Sequence, residues 1–144
     1  MTTAIHATCI LIRDCGVLIT GASGAGKSSL AVRLMALADR QGLYSALVGD
    51  DRVLLNAVGD RLIARPHPAI AGLIERRGSG LVPCAFEPSA RLGLVIELVG
   101  GPLERMPDAK NLTIGLAGVT LPRILCTLIE DDPARVALKL DASG

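Results

Sequence analysis

Runs of apolar residues separated by turn residues divide the chain into short elements. Continuous apolar, β-branched runs are typical of buried strands. The segment 27–40 carries Leu30, Leu34 and Leu37 on one face, which predicts a helix, and paired runs on either side of Gly59-Asp60 predict a hairpin over 53–64. The predicted strands are 5–12, 17–20, 43–48, 92–98 and 123–129, and the predicted helices are 27–40, 69–75 and 133–140.

Strands and helices alternate along the chain, which is typical of the α/β class. The hairpin adds antiparallel pairs, so we expect a mixed sheet flanked by helices. The 144 residues are enough for one domain, which we take to span residues 1–144. Half of the residues are apolar but the aromatic ones are Tyr44 and Phe86 alone, so the core is expected to consist of Leu, Ile, Val and Ala.

The charge balance argues against several classes of protein. Fifteen basic and fourteen acidic residues leave a net charge of +1 without a basic run, which disfavours nucleic-acid binding. No apolar run approaches the roughly 20 residues that span a bilayer, and the first residues do not resemble a secretory signal. The four cysteines lack C-x-x-C spacing, which favours reduced, mostly buried thiols in a cytoplasmic protein.

A glycine-rich turn follows the predicted strand 17–20 and fits the pattern G-x-x-x-x-G-K-[ST]. Glycines let consecutive backbone N–H groups face phosphate oxygens, and the following helix adds its positive end. Lys27 would contact the β- and γ-phosphates of a nucleotide, and Ser28 would offer its hydroxyl to Mg²⁺. The candidate phosphate-binding residues are Gly21, Ala22, Ser23, Gly24, Ala25, Gly26, Lys27, Ser28 and Ser29.

Two adjacent carboxylates end the next predicted strand, at Asp50 and Asp51. In a parallel arrangement that end of the strand lies beside the glycine-rich turn. One carboxylate could then neighbour a metal ion while the other accepts a proton; propensity alone would make the segment a plain turn. His6 lies in an apolar strand, where a histidine has either a structural or a catalytic role.

The segment "IHATCILIRDCGVLITGASGAGKSS" resembles the start of the catalytic domain of the HPr kinase/phosphorylase family. In that family a histidine on a strand precedes the phosphate loop. "VGDDRV" is similar to the family's strand ending in ADDR, and "IERRGSGL", residues 74–81, to its EIRGLGI signature. The resemblance covers nearly the whole chain. It implies the P-loop nucleotide-binding fold that HPr kinase shares with phosphoenolpyruvate carboxykinase.

The resemblance also implies roles for individual residues. Asp51 matches the proton acceptor for the incoming serine hydroxyl, and His6 the histidine that assists it. Lys27 matches the phosphate-binding lysine. Ser28 and Glu75 match the Mg²⁺ ligands, and Asp50 is a further candidate ligand because of its position beside Asp51. Arg77 and Gly78 fall within the signature, and Arg105 matches a later catalytic arginine or is a plain surface residue.

The expected activity is that of an ATP- and Mg²⁺-dependent kinase that phosphorylates a serine of an HPr-like phosphocarrier protein. The resemblance suggests a homo-oligomer, a hexamer in particular. Only five residues precede His6, so we expect the catalytic domain on its own. The segment 127–135 is acidic where the family has a basic one, so we expect weak or absent phosphorylase activity because phosphate would be repelled.

Two alternatives stay open at this point. A small-molecule kinase or generic P-loop ATPase would need several basic residues around its substrate, and Arg61, Arg65, Arg76 and Arg77 could supply them. A nucleotide-sensing module without turnover would need only the phosphate loop. A solvated basic face explains the same arginines equally well.

Overall fold

The computed structural model describes residues 2–76, 78–99 and 113–126. The strands are β1 Thr2–Ile5, β2 Thr8–Ile12, β3 Cys15–Gly21, β4 Ser45–Gly49, β5 Val53–Val58, β6 Arg61–Pro66, β7 Leu73–Arg76, β8 Gly80–Pro83, β9 Ala90–Leu98, β10 Thr113–Leu116 and β11 Val119–Cys126. The α-helix of this part of the chain is α1, Lys27–Arg40, and a short 3-10 helix covers Pro68–Ile70.

Nine of these strands form one mixed sheet. Its central path runs β1-β5-β6-β9-β3-β2-β4, and β11 joins β9 while β10 joins β11. The pairs β3–β9 and β9–β11 are parallel, and the remaining pairs of the sheet are antiparallel. β2 pairs antiparallel with both β3 and β4, so β3 and β4 point the same way and end at the same edge of the sheet.

The central strands bury both faces, because their apolar side chains alternate between two clusters. On one face, Ile10, Val17 and Ile19 pack with Leu30 and Leu34 of α1. On the other face, Cys9, Leu18 and Val48 join residues of β5 and β6 in the second cluster. The sheet therefore separates a layer covered by α1 from a second layer lined by β5 and β6. The ends of β3 and β4 lie at the same edge of this sheet.

The helix 27–40, the hairpin at Gly59-Asp60 and the mixed character of the sheet are confirmed. The strand predicted over 5–12 is two strands, with His6 and Ala7 in the break between β1 and β2. The strand predicted over 43–48 begins at Ser45 and ends at Gly49, and that predicted over 92–98 begins earlier, at Ala90.

The helix predicted over 69–75 is wrong. Gly72 has φ 77°, in the left-handed region, so the backbone turns after the 3-10 helix and continues as β7. β7 pairs with β8 in a separate two-stranded sheet, and Ile74 packs into the cluster under α1. Residues 127–129 of the last predicted strand and the helix predicted over 133–140 lie outside the described residues.

In the described residues, no helix combines the length and the apolar character needed to cross a membrane. All four cysteines are free thiols, two of them buried and two half-buried, as predicted. Burial raises the pKa of the Cys9, Cys15 and Cys84 thiols, so these groups stay protonated near neutral pH.

Candidate active site

The glycine loop, residues 21–28, connects the end of β3 to the start of α1. Gly24 and Gly26 have φ 80° and 99°, so both need the left-handed backbone that glycine adopts without strain. Gly26 is also the residue before the first turn of α1 and has no side chain to cap the helix. The free N–H groups of that turn therefore face the loop, where they favour an anion.

Lys27 is buried within the loop, with 7% of its surface exposed. Its ammonium donates hydrogen bonds to the carbonyls of Gly21 and Ala22, both at 3.1 Å. Ala25 turns its side chain into the core, so only its backbone faces the loop. Ser23, Gly24, Gly26, Lys27, Ser28 and Ser29 line a cleft together with residues of three other segments.

Asp50 lies immediately after β4 and is almost fully buried, at 3% exposure. The Ser28 hydroxyl contacts both carboxylate oxygens, at 2.7 and 2.9 Å. The Thr8 hydroxyl donates to Oδ1 at 2.7 Å, and the backbone N–H of Glu75 donates to Oδ2 at 2.9 Å. Asp50 thus ties the start of α1, the start of β2 and β7 together.

Asp51 occupies a strained turn on the rim of the cleft. Its φ is 68°, and the N–H of Arg52 donates to the Asp50 carbonyl at 2.7 Å, which closes a three-residue γ-turn around it. His6 Nε2 lies 2.5 Å from Asp51 Oδ1, and Ala7 N–H donates to the Asp51 carbonyl at 3.2 Å. The two side chains are 48% and 58% exposed, so an incoming group can reach them.

The break between β1 and β2 explains this contact. A continuous strand over 5–12 would keep His6 in regular pairing, whereas the break places it against the γ-turn. Such strained backbone is typical of functional sites.

Glu75 lines the same cleft from β7, with an exposed side chain, and Gly78 has φ 83° in the turn between β7 and β8. Arg77 and Arg105 lie outside the described residues. Arg61, Arg65 and Arg76 are described, and none of them lines the cleft.

The donor set of the cleft is suited to magnesium rather than to a softer metal. It offers carboxylate and hydroxyl oxygens from Asp50, Ser28 and Glu75. The described residues contain no cluster of three or more His, Cys, Asp or Glu side chains arranged around a metal position. Mg²⁺ fits such a site because it binds through one or two carboxylates and fills its remaining positions with water and substrate phosphates.

Thr8 also belongs to this site, although the sequence motifs do not include it. Thr8 is fully buried and hydrogen-bonded to Asp50. In the predicted strand 5–12, Thr8 carries the single hydroxyl among apolar residues. It lies two positions after His6, and side chains two positions apart in a strand point to the same face.

Comparison with known proteins identifies the family. The protein-family model of the HPr serine kinase C-terminal domain matches residues 1–102 of the sequence. The chain belongs to this family. An HPr kinase/phosphorylase of Mycoplasma mycoides subsp. mycoides SC is 41% identical to this HPr kinase domain over 76 residues, which are 53% of the chain and 22% of that relative. The chain therefore matches less than a quarter of that relative's length.

The solved Hpr(Ser) kinase/phosphatase from Coxiella burnetii has a similar fold. It matches this HPr kinase domain with a TM-score of 0.76 and 28% identity, over 99% of each chain. The family resemblance that the sequence suggests is thus confirmed.

Proposed function

We propose that this chain is an ATP-dependent kinase that phosphorylates a serine of an HPr-like phosphocarrier protein. The observation that carries the proposal is the contact between His6 and Asp51 on the rim of the cleft that Lys27 and Ser28 line. A proton acceptor and a phosphate-binding loop share one opening. This is the arrangement that phosphoryl transfer to a hydroxyl requires.

In this proposal the glycine loop is a P-loop that holds the phosphates of ATP. The N–H groups at the start of α1 and the ammonium of Lys27 would stabilise the negative charge on the transferred phosphoryl group. Ser28, Asp50 and Glu75 would hold Mg²⁺. Bound there, the metal would neutralise charge on the β- and γ-phosphates.

Asp51 would take the proton of the acceptor serine. The serine oxygen then bonds to the γ-phosphorus, the bond from that phosphorus to the bridging oxygen breaks, and ADP leaves. His6 would orient the Asp51 carboxylate through the contact with Oδ1. The γ-turn holds Asp51 at the opening, where a protein surface can deliver its serine.

The described arginines favour this function over a small-molecule kinase. Arg61, Arg65 and Arg76 lie away from the cleft lining, so they do not form a basic substrate pocket there. Weak phosphorylase activity stays a prediction, since the acidic segment 127–135 lies outside the described residues. The homo-oligomer, the cytoplasmic location and the single-domain boundaries also stay predictions, and light scattering tests the first.

The decisive experiment incubates the protein with Mg²⁺, γ-labelled ATP and a purified HPr-like carrier. Label on a carrier serine supports the proposal. ATP consumption without label on the carrier indicates a small-molecule kinase or ATPase, and nucleotide binding without turnover indicates a sensing module. Either result contradicts the proposal.

The variant Asp51→Asn tests the role of Asp51 as the proton acceptor. We expect labelling to fall by about 100-fold or more while nucleotide affinity stays within about twofold, because only the proton transfer is lost. The matched control is Asp60→Asn in the turn between β5 and β6, outside the cleft lining, which should leave labelling unchanged. A parallel loss of nucleotide binding in Asp51→Asn would show that Asp51 has a structural or metal-binding role instead.

A further inference from the structure

The buried polar groups of the molecule converge on one point. In the described ranges, the buried polar or charged side chains are Thr8, Lys27 and Asp50, and all three line the cleft. Lys27 and Asp50 have roles in the proposed function. Thr8 has none, although it is fully buried and an apolar side chain of the same shape would fill its place in the strand.

A β-bulge aligns Thr8 with Asp50. β2 and β4 pair Ile10 with Leu47, and the register then shifts by one residue so that Cys9 pairs with Gly49. Thr8 and Asp50 are the next residues along the two chains, and the Thr8 hydroxyl donates to Asp50 Oδ1 at 2.7 Å. Without the bulge Thr8 would lie opposite Gly49. Bulges next to active sites commonly redirect a side chain in this way.

We propose that Thr8 is a positioning residue that fixes the Asp50 carboxylate for magnesium-dependent nucleotide binding. The inference rests on the metal site of the proposed function. The terminal torsion of an aspartate is soft, so a carboxylate needs a contact on each oxygen to hold one orientation. Glu75 N–H holds Oδ2 from one side, and Thr8 holds Oδ1 from the other.

With its carboxylate held in this way, Asp50 also meets the Ser28 hydroxyl, and both residues line the cleft. The segment that leads into β2 thereby serves both aspartates. His6, in the break before the strand, contacts Asp51, and Thr8, the first residue of β2, contacts Asp50. Groups that orient metal ligands from behind typically change metal affinity by 10- to 100-fold when they are removed.

The test uses Thr8→Val, which keeps the shape and removes the hydroxyl, and Thr8→Ser, which keeps the hydroxyl. The affinity for a fluorescent ADP analogue is measured in EDTA and over a range of Mg²⁺ concentrations. We expect Thr8→Val to bind nucleotide within about twofold of the parent in EDTA but to need about tenfold more Mg²⁺ for the magnesium-dependent increase in affinity. Thr8→Ser should restore most of that response.

A double-mutant cycle separates positioning from general stability. In an Asp50→Asn background, Thr8→Val should change the remaining Mg²⁺ response by less than about twofold, because the metal-binding carboxylate that Thr8 orients is gone. Thermal unfolding confirms that each variant is folded, and Thr8→Ala replaces Thr8→Val if the latter does not fold.

Several results would overturn the inference. One is a parent protein whose nucleotide affinity does not respond to Mg²⁺. Others are a hydroxyl-free variant with the parental Mg²⁺ response, an equal loss of affinity in EDTA and Mg²⁺, and an undiminished effect in the Asp50→Asn background. Failure of the proposed function is distinguishable, because it would appear as absent carrier labelling in a protein that still binds Mg²⁺ and nucleotide together.

Discussion

Replacing Asp50 by alanine removes an acceptor that three groups share: the hydroxyls of Thr8 and Ser28 and the N–H of Glu75. Ser28 lines the cleft and can turn its hydroxyl to solvent. Thr8 is fully buried and Glu75 N–H points inward, so both lose their partner without replacement. Each buried donor without a hydrogen-bond partner lowers the free energy of unfolding by about 1–3 kcal/mol. For two such donors we expect Asp50→Ala to lower the free energy of unfolding by about 2–6 kcal/mol.

Asparagine at the same position should cost far less. Its carbonyl can accept from Glu75 N–H, and the Thr8 and Ser28 hydroxyls can rotate to accept from its amide, because a hydroxyl both donates and accepts. We expect Asp50→Asn to lie within about 1 kcal/mol of the parent in stability. The magnesium response should nevertheless weaken, because an amide is a poorer ligand for Mg²⁺ than a carboxylate.

Urea and thermal unfolding followed by far-UV circular dichroism measure both variants, since the chain has no tryptophan and a single tyrosine. At about 3 °C per kcal/mol for a domain of this size, the Asp50→Ala midpoint should fall by roughly 6–18 °C. Asp39→Ala, on the exposed side of α1, is the control and should stay within about 0.5 kcal/mol. Equal losses in Asp50→Asn and Asp50→Ala would refute the argument from hydrogen-bond partners.

Three further predictions concern other parts of the molecule. Lys27→Met should weaken nucleotide binding by about 10- to 100-fold because the charged donor is lost. Arg33→Met, on the exposed face of α1, is the control and should bind nucleotide like the parent. Equal affinities of the two variants in a fluorescence titration would contradict this. Gly72→Ala should cost about 1–3 kcal/mol in urea unfolding, because its φ is 77° and its new Cβ would lie 2.9 Å from Phe86 Cδ1. Burial raises the pKa of the Cys9 thiol, so at about pH 8 it should stay protonated and resist iodoacetamide until the protein unfolds; mass spectrometry of the native protein measures this.

Local patterns predicted the parts of the fold that local forces decide. The segment 27–40 has a continuous apolar face, and the glycine loop before it cannot continue the preceding strand. The predicted bounds of this helix therefore agree with the observed ones. The hairpin at Gly59-Asp60 is likewise predictable. Its tight turn needs a left-handed backbone, which Gly59 adopts with φ 64° and few other residues adopt without strain. The helix expected over 69–75 failed because its apolar residues fit either period, and only pairing with β8 makes the segment a strand.

The types of residue in the candidate site could be identified from the sequence. The glycine loop, the two aspartates and the histidine stand in one order, and each residue type allows few roles in phosphate chemistry. Which of these side chains contact each other depends on the folded chain. The break before β2, the bulge opposite β4 and the γ-turn at Asp51 bring His6 to Asp51 and Thr8 to Asp50, across separations of more than forty residues. Such contacts depend on strand register and backbone strain, which arise from the packing of the whole sheet and leave no local pattern in the chain.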